Sequence, residues 1–289
     1  MNKVRKAVIP VAGFGTRFLP ETKCVPKELM PIVDTPALQL VVQEVVDSGI
    51  DQVLLITSGR KRAIEDHFDR SEELYNLLKK GGKKVELQMC EDIENMANFT
   101  FIRQREMKGS GHAIGLAREF VAGEPFAVLY GDDLMYSPQN PVTGQLIKAY
   151  ENTGSSILGV QRVEMSEVSK YGVINPGAEK GRYTEVKGFI EKPPVEEAPS
   201  NLVSMGRYVL TPEVFEHLEK CTPSLNGEIY LTSAIEMMIR TSGVFAYEFE
   251  GTRYDTGDKL GYLKAVVEYA LRDKKLGVDF KNYLVNLLK

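Results

Sequence analysis

The stretch VAGFGTRFLPETKCVPKELMPI, residues 11–32, carries Arg17, Lys23 and Lys27 within eleven residues, beside Gly13 and Gly15. Glycines let backbone amides approach an anion, and such amides form a nest for phosphate oxygens. Arginine adds a planar fork of donors and lysine a compact charge. Pro20, Pro26 and Pro31 limit the conformations the segment can lose on binding. These parts suit a triphosphate. A dinucleotide fingerprint does not fit, because Phe18 stands where its third glycine belongs and the prolines forbid a helix directly afterwards. The Walker sequence is absent. A structural turn with solvated charges is the plain alternative.

Two further places carry chemistry. The apolar run PFAVLYGDD (125–133) ends in Asp132 and Asp133. Adjacent strand residues face opposite sides, so one of the pair faces a ligand. One or two carboxylates joined by phosphate oxygens and water suit Mg²⁺. Gln104 ends FTFIRQ (99–104), and its amide offers both a donor and an acceptor. Gly109 and Gly111 follow and are expected to keep a pocket open. Of the three histidines, His67, His112 and His217, none has a triad-like context.

These residues need a frame. With 289 residues, 43% of them hydrophobic, the chain can bury a sizeable core. Residues 4–12 read as a strand, Thr35 and Pro36 as the cap and first position of a helix that runs to Gly49, and QVLLIT (52–57) as the next strand. This is the β-loop-α-β unit of a parallel sheet. Helices are expected near 61–68, 71–80, 112–121, 212–220, 229–241 and 258–273. Strands are expected at 84–90 (KVELQMC, alternating), 99–104, 125–133, 155–163 and 244–250. Residues 172–210 are strand-rich and look antiparallel, and PPVEEAPS (193–200) is an acidic loop. The fold class is therefore α/β: a Rossmann-like mixed, mainly parallel sheet flanked by helices, with a small β-rich insertion. One domain spans 1–289, with a nucleotide-binding half (1–135) and a second half (136–289). In such sheets ligands sit at the carboxyl ends of strands, where the unusual residues fall.

The charge balance is 36 − 40 = −4, so no overall basic field invites nucleic acid. Cys24, Cys90 and Cys221 fit neither a disulfide framework nor a zinc spacing, which suggests a reducing, cytoplasmic setting. The opening MNKVRKAVIPVAG breaks at Pro10 and Gly13, too early for a leader peptide, and no segment approaches a membrane span.

The loop resembles the G-x-G-T-R-x-x-P-x-T-K-x-x-P-K-x-x-x-P-I segment of the sugar-nucleotide pyrophosphorylases, most closely their bacterial uridylyl-transferring branch. Further motifs recur in order: QREMKGSGHAIGLA (104–117), LYGDDL (129–134), YGVI (171–174), GFIEKPP (188–194), NGEIYLTSAI (226–235) and RYDTGDKLGYL (253–263). The resemblance implies UTP and glucose 1-phosphate as substrates, UDP-glucose and pyrophosphate as products, and Mg²⁺ as cofactor. It implies Arg17 and Lys27 as catalytic cations, with Lys23 a third cation. Ala12, Gly13, Gly15, Glu28, Gln104 and Gly109 would line the nucleotide, and Glu28 could instead simply orient Lys27. Gly172, Glu191 and Lys192 would hold the sugar, with Lys192 kept extended by the prolines that follow. Asp132 and Asp255 would hold metal, although Asp255 could instead cap the helix after it. The resemblance also implies a homodimer or homotetramer through the C-terminal helices. Ser233 departs from a position that is often acidic, and Cys24 and Phe14 are tolerated variation. Two rivals remain: a thymidylyltransferase, and a non-catalytic sugar-nucleotide-binding paralogue, which would be expected to lose a phosphate cation or the metal carboxylate.

Overall fold

The computed structural model describes residues 3–289; the first two residues of the opening segment lie outside it. Strand β1 (Lys6–Pro10) is buried on both faces: Ala7 and Ile9 point into one core and Val8 into the other. The chain then turns through three short 3₁₀ segments, Thr16–Phe18, Glu21–Lys23 and Lys27–Leu29. A ribbon of β2 (Pro31–Ile32) and β3 (Thr35–Pro36) leads to helix α1 (Ala37–Asp47). Thr35 and Pro36 thus pair with β2, which holds them extended, so Pro36 takes the cap position in place of Thr35 and the helix opens one residue later, at Ala37.

β4 (Gln52–Thr57) is followed by α2 (Arg62–Phe68), α3 (Glu72–Lys80) and α4 (Lys84–Glu94). The expected strand at 84–90 is helix α4. The alternation of Val85, Leu87 and Met89 misleads, since Val85 and Met89 are exposed. The half-buried residues are Leu87, Cys90, Glu91 and Glu94, spaced i, i+3, i+4 and i+7, with Ile93 at their edge. After β5 (Asn98–Arg103) the single helix expected at 112–121 is two, α5 (Gly109–Gly115) and α6 (Arg118–Val121). β6 (Phe126–Leu129) stops short of the acid pair, and Asp133 opens a separate strand, β7 (Asp133–Tyr136).

The second half runs α7 (Val142–Thr153), β8 (Ser156–Arg162), β9 (Gly172–Lys180), β10 (Tyr183–Glu191) and β11 (Leu202–Leu210). It continues with α8 (Val214–Lys220), α9 (Leu231–Thr241), β12 (Val244–Glu248), β13 (Thr252–Asp255), α10 (Lys259–Arg272) and α11 (Gly277–Leu287). The last helix is not foreseen in the sequence.

Nine strands form one sheet in the order β5-β4-β1-β6-β11-β8-β12-β10-β9 among the described residues. The first four are parallel to one another, as is the β8–β12 pair, while β11, β10 and β9 run antiparallel to their neighbours. One face packs on Leu38 of α1, Leu146 of α7 and Ala265 of α10. The other packs on Ile114 of α5, Phe215 of α8 and Ile235 of α9. β7 and β13 make a separate antiparallel ribbon with Asp133 opposite Asp255. No described helix is long and apolar enough to cross a membrane. Cys24 is exposed, Cys90 half-buried and Cys221 buried, all unpaired.

Candidate active site

A cleft of about 570 Å³ opens where β1 and β6 end, the position an open α/β sheet offers a ligand. Ala12, Gly13, Gly15, Lys27, Glu28, Gln104, Gly109, Asp132, Gly172, Glu191 and Lys192, eleven of the residues named from sequence, line it. Arg17 and Asp255 do not line it directly; both reach it through Asp132 and Gly257. Lys23 instead faces a smaller cavity behind the loop, beside Cys24 and Arg60.

One wall is the cationic loop. Gly15 has φ +67°, and a Cβ there would stand 3.3 Å from both Lys27 Cβ and Thr22 Cγ2. The missing side chain thus lets the Lys27 stem pass, and Thr22 Oγ1 donates to the Gly15 carbonyl at 2.8 Å to hold the turn. Lys27 Nζ donates to Asp132 Oδ2. Burial opposes the Lys27 charge, but Asp132 and Glu28 outweigh it and keep its pKa above the usual lysine value. Arg17 is largely exposed, with Nη2 3.9 Å from the same Asp132 oxygen. Beneath the loop, Lys61 Nζ donates to Glu28 Oε2 at 2.6 Å, both groups almost fully buried. Burial drives each toward its neutral form, Glu28 upward and Lys61 downward in pKa. Lys61 carries no motif, and the sequence reading missed it.

The opposite wall is acidic. Asp132 sits in the turn between β6 and β7, and its carbonyl accepts from Thr256 N and Oγ1, both at 2.9 Å. Asp133 also lines the cleft and receives Arg253 Nε at 2.7 Å. Burial pushes the Asp133 carboxyl up to about 6 although Arg253 sits beside it, and Asp132 and Asp255 add to the rise. Below lies Arg207, 1% exposed. Its Nη2 donates to the Asp133 carbonyl at 2.5 Å and to Glu44 Oε2 of α1 at 2.9 Å. Thr143 Oγ1 donates to Glu44 Oε1 at 2.6 Å, so this buried pair is hydrogen-bonded beyond itself. The cap of α10 is Asp258, which accepts from Leu260 N and Gly261 N. Asp255 is therefore free of that role, and its Oδ1 accepts from Gly257 N at 2.9 Å.

Gly257 marks the convergence of the two walls. A Cβ there would come 2.5 Å from Asp132 Oδ2, 2.7 Å from Arg17 Nη2 and 3.1 Å from Asp255 Oδ1. Two carboxylates and a cation thus face one small space. No cluster of three or more His, Cys, Asp or Glu side chains suited to a metal occurs among the described residues. Asp132 and Asp255 fit Mg²⁺, which commonly takes one or two carboxylates and fills its remaining positions with phosphate oxygens and water.

The rest of the cleft lining departs from expectation at Lys192. A Cβ at Gly109 would lie 2.6 Å from the Ile229 carbonyl, and one at Gly111 2.9 Å from Ile229 Cγ2. These glycines admit the segment before α9 against the loop, and Gly109 also lines the cleft. Lys192 has φ +45°, a left-handed backbone that the prolines after it do not favour. Its N–H donates to the Tyr171 carbonyl at 3.0 Å, which fixes the turn where β10 ends. Gly172 pairs with Glu191 across β9 and β10, and a Cβ on Gly172 would strike the Phe189 ring at 2.5 Å.

The sequence matches the nucleotidyl transferase family over residues 6–271. The chain belongs to that family. It is 49% identical over 288 residues to a UTP–glucose-1-phosphate uridylyltransferase of Bacillus subtilis, covering 100% of this chain and 98% of the relative. A UTP-bound UGPase from Acinetobacter baumannii superposes with a TM-score of 0.89 at 37% identity, over 98% of this chain and 99% of that one. A UDP-glucose pyrophosphorylase complexed with UDP-glucose gives 0.85 at 39% identity, over 93% and 100%. As a nucleotidyl transferase the chain has its cation loop and its acid turn on opposite sides of one cleft.

Proposed function

We propose that this chain is a UTP–glucose-1-phosphate uridylyltransferase that makes UDP-glucose and pyrophosphate. The observation that carries the reading is Asp132, which bonds Lys27 in the same cleft as Gln104 and Glu191 and faces Arg17 and Asp255 across Gly257. Near-half identity to uridylyltransferases along the full chain supports it. Residues 1–135 would hold the nucleotide, and 136–289 the sugar and the C-terminal helices.

The glucose 1-phosphate oxygen forms a bond to the α-phosphorus of UTP, and the bond from that phosphorus to the bridging oxygen of pyrophosphate breaks. A phosphate monoester dianion is already deprotonated, so no general base is required. His67 meets Gln39 and His217 meets Thr241, away from the cleft. The residues' work is alignment and charge neutralisation. Lys27 is held where it can leave Asp132 for a phosphate oxygen, and Arg17 faces the departing pyrophosphate. Asp132 and Asp255 would hold Mg²⁺, which when bound neutralises charge shared between phosphates. Glu191 accepts from vicinal sugar hydroxyls, and Lys192 lies within reach of the sugar phosphate. Exposed Leu263, Leu271, Val278 and Leu287 on α10 and α11 support assembly as a homodimer or homotetramer. The free cysteines agree with a cytoplasmic setting.

The test offers the purified protein Mg²⁺ and glucose 1-phosphate with UTP, dTTP, GTP or ATP in turn, and measures pyrophosphate release. Release with UTP is expected. Its absence overturns the reading, and a strong preference for dTTP moves it to a thymidylyltransferase.

A further inference from the structure

Gln104 is almost fully buried, and its amide has an orientation set by its neighbours. Nε2 lies 3.3 Å from the Gly109 carbonyl and 2.9 Å from His112 Nδ1. A carbonyl only accepts, so the side of the amide that faces Gly109 is its NH₂. His112 Nδ1 faces the same NH₂ and must therefore accept as well. This makes His112 a neutral imidazole with its proton on Nε2. The Gly109 carbonyl is itself held, because the loop is clamped by Ile229 N donating to Lys108 O and Gly111 N donating to Ile229 O, both at 2.8 Å. Gln104 Oε1 has no hydrogen-bond donor among the described residues, yet it is not a buried unsatisfied atom; Gln104 lines both the cleft and a hollow beside Arg103 and Arg105, and Oε1 is assigned to the cleft side.

We propose that His112 is a positioning residue for base specificity: its Nδ1, together with the Gly109 carbonyl, holds the Gln104 amide so that an acceptor, Oε1, is presented to the base. The inference rests on the proposed uridylyl transfer for its substrate and sharpens it. Uracil carries N3–H, which donates to Oε1. Cytosine carries a lone pair at N3, which meets Oε1 acceptor to acceptor. Turning the amide to suit cytosine would aim Oε1 at the Gly109 carbonyl, a fixed acceptor, and would force His112 to move its proton from Nε2 to Nδ1. A site whose buried hydrogen-bonding groups are already committed rejects a mismatched analogue far better than a pocket selecting by shape alone. His112 thus acts on which nucleotide enters, without touching the reacting phosphates.

The experiment compares the wild type with His112→Leu, which removes the acceptor, and His112→Asn, whose Oδ1 can accept at the same level of the side chain. UDP and CDP binding are titrated, and kcat/KM is measured with UTP and CTP. His112→Leu is expected to cut the uridine-over-cytidine ratio about tenfold or more, chiefly through KM and Kd, as for one lost hydrogen bond of about 1.4 kcal/mol. His112→Asn is expected to restore most of that ratio. An unchanged ratio in His112→Leu, or equal losses in the two variants, overturns the proposal. Equal binding of UDP and CDP by the wild type also overturns it. Uridine-selective binding without pyrophosphate release supports the lock while overturning the functional reading alone, so the two fail separately.

Discussion

The two walls of the cleft do the same electrostatic task from opposite construction. The cationic wall is a loop of short 3₁₀ turns that carries Arg17 largely exposed and Lys27 at its inner edge. The acidic wall stands on buried ion pairs: Arg207 with Glu44, and Arg253 with Asp133. Phosphates arrive and leave, so groups that grip them gain from a surface that water can reach. Like charges grouped as Asp132, Asp133 and Asp255 repel, and Arg253 beside the last two and Lys27 beside the first hold them together. The contrast teaches that substitutions in the first wall should register in rate and those beneath the second in stability.

The largest effect is expected at Asp132→Ala, where the walls touch. Turnover should fall about 10³-fold, close to 4 kcal/mol of barrier, with the melting temperature little changed. Near-wild-type turnover would remove Asp132 from the chemistry. Next comes Arg207→Met, which strands Glu44 in the core. Denaturant unfolding should show a loss of about 3 kcal/mol, and an unaltered midpoint would break the claim that the acidic wall rests on this pair. Gly257→Ala follows. Its methyl enters the space shared by Asp132, Arg17 and Asp255, and kcat should drop about 30-fold while the fold survives. The smallest effect belongs to Arg17→Ala, about tenfold in kcat/KM and no measurable shift in melting temperature, as fits an exposed charge. A stability loss there as large as that of Arg207→Met would erase the distinction between the walls.

The same contrast decides what the sequence made legible. The cationic wall was readable because its glycines, prolines and cations sit within one short stretch, where residue type and spacing carry the chemistry. Asp132 was readable as the abrupt polar end of an apolar strand. Its partners were not. Arg207 and Glu44 are 163 positions apart, and Arg253 and Asp133 are 120 apart, so no local pattern joins them. Gly257 carried no signal beyond being a glycine in a motif, since its importance is the space it leaves. The parallel strands and most helices followed from hydrophobic period, whereas α4 was misread because a few apolar residues alternated by chance over a helix with a single half-buried face. α1 was displaced by one residue for a similar reason: β2 and β3 form a tertiary pairing that overrides a good local cap.

The ribbon of β7 and β13 has a consequence in time. β7 leaves the ribosome more than a hundred residues before its partner strand, and the loop between them must close before Asp255 and Gly257 stand beside Asp132. A nascent chain can therefore complete its cationic loop and its parallel strands while the acid turn still lacks its second side. The face that Asp132 and Asp255 share is among the last surfaces of the molecule to exist, and a chain truncated ahead of β13 would carry the cationic loop with half of its acidic counterpart missing.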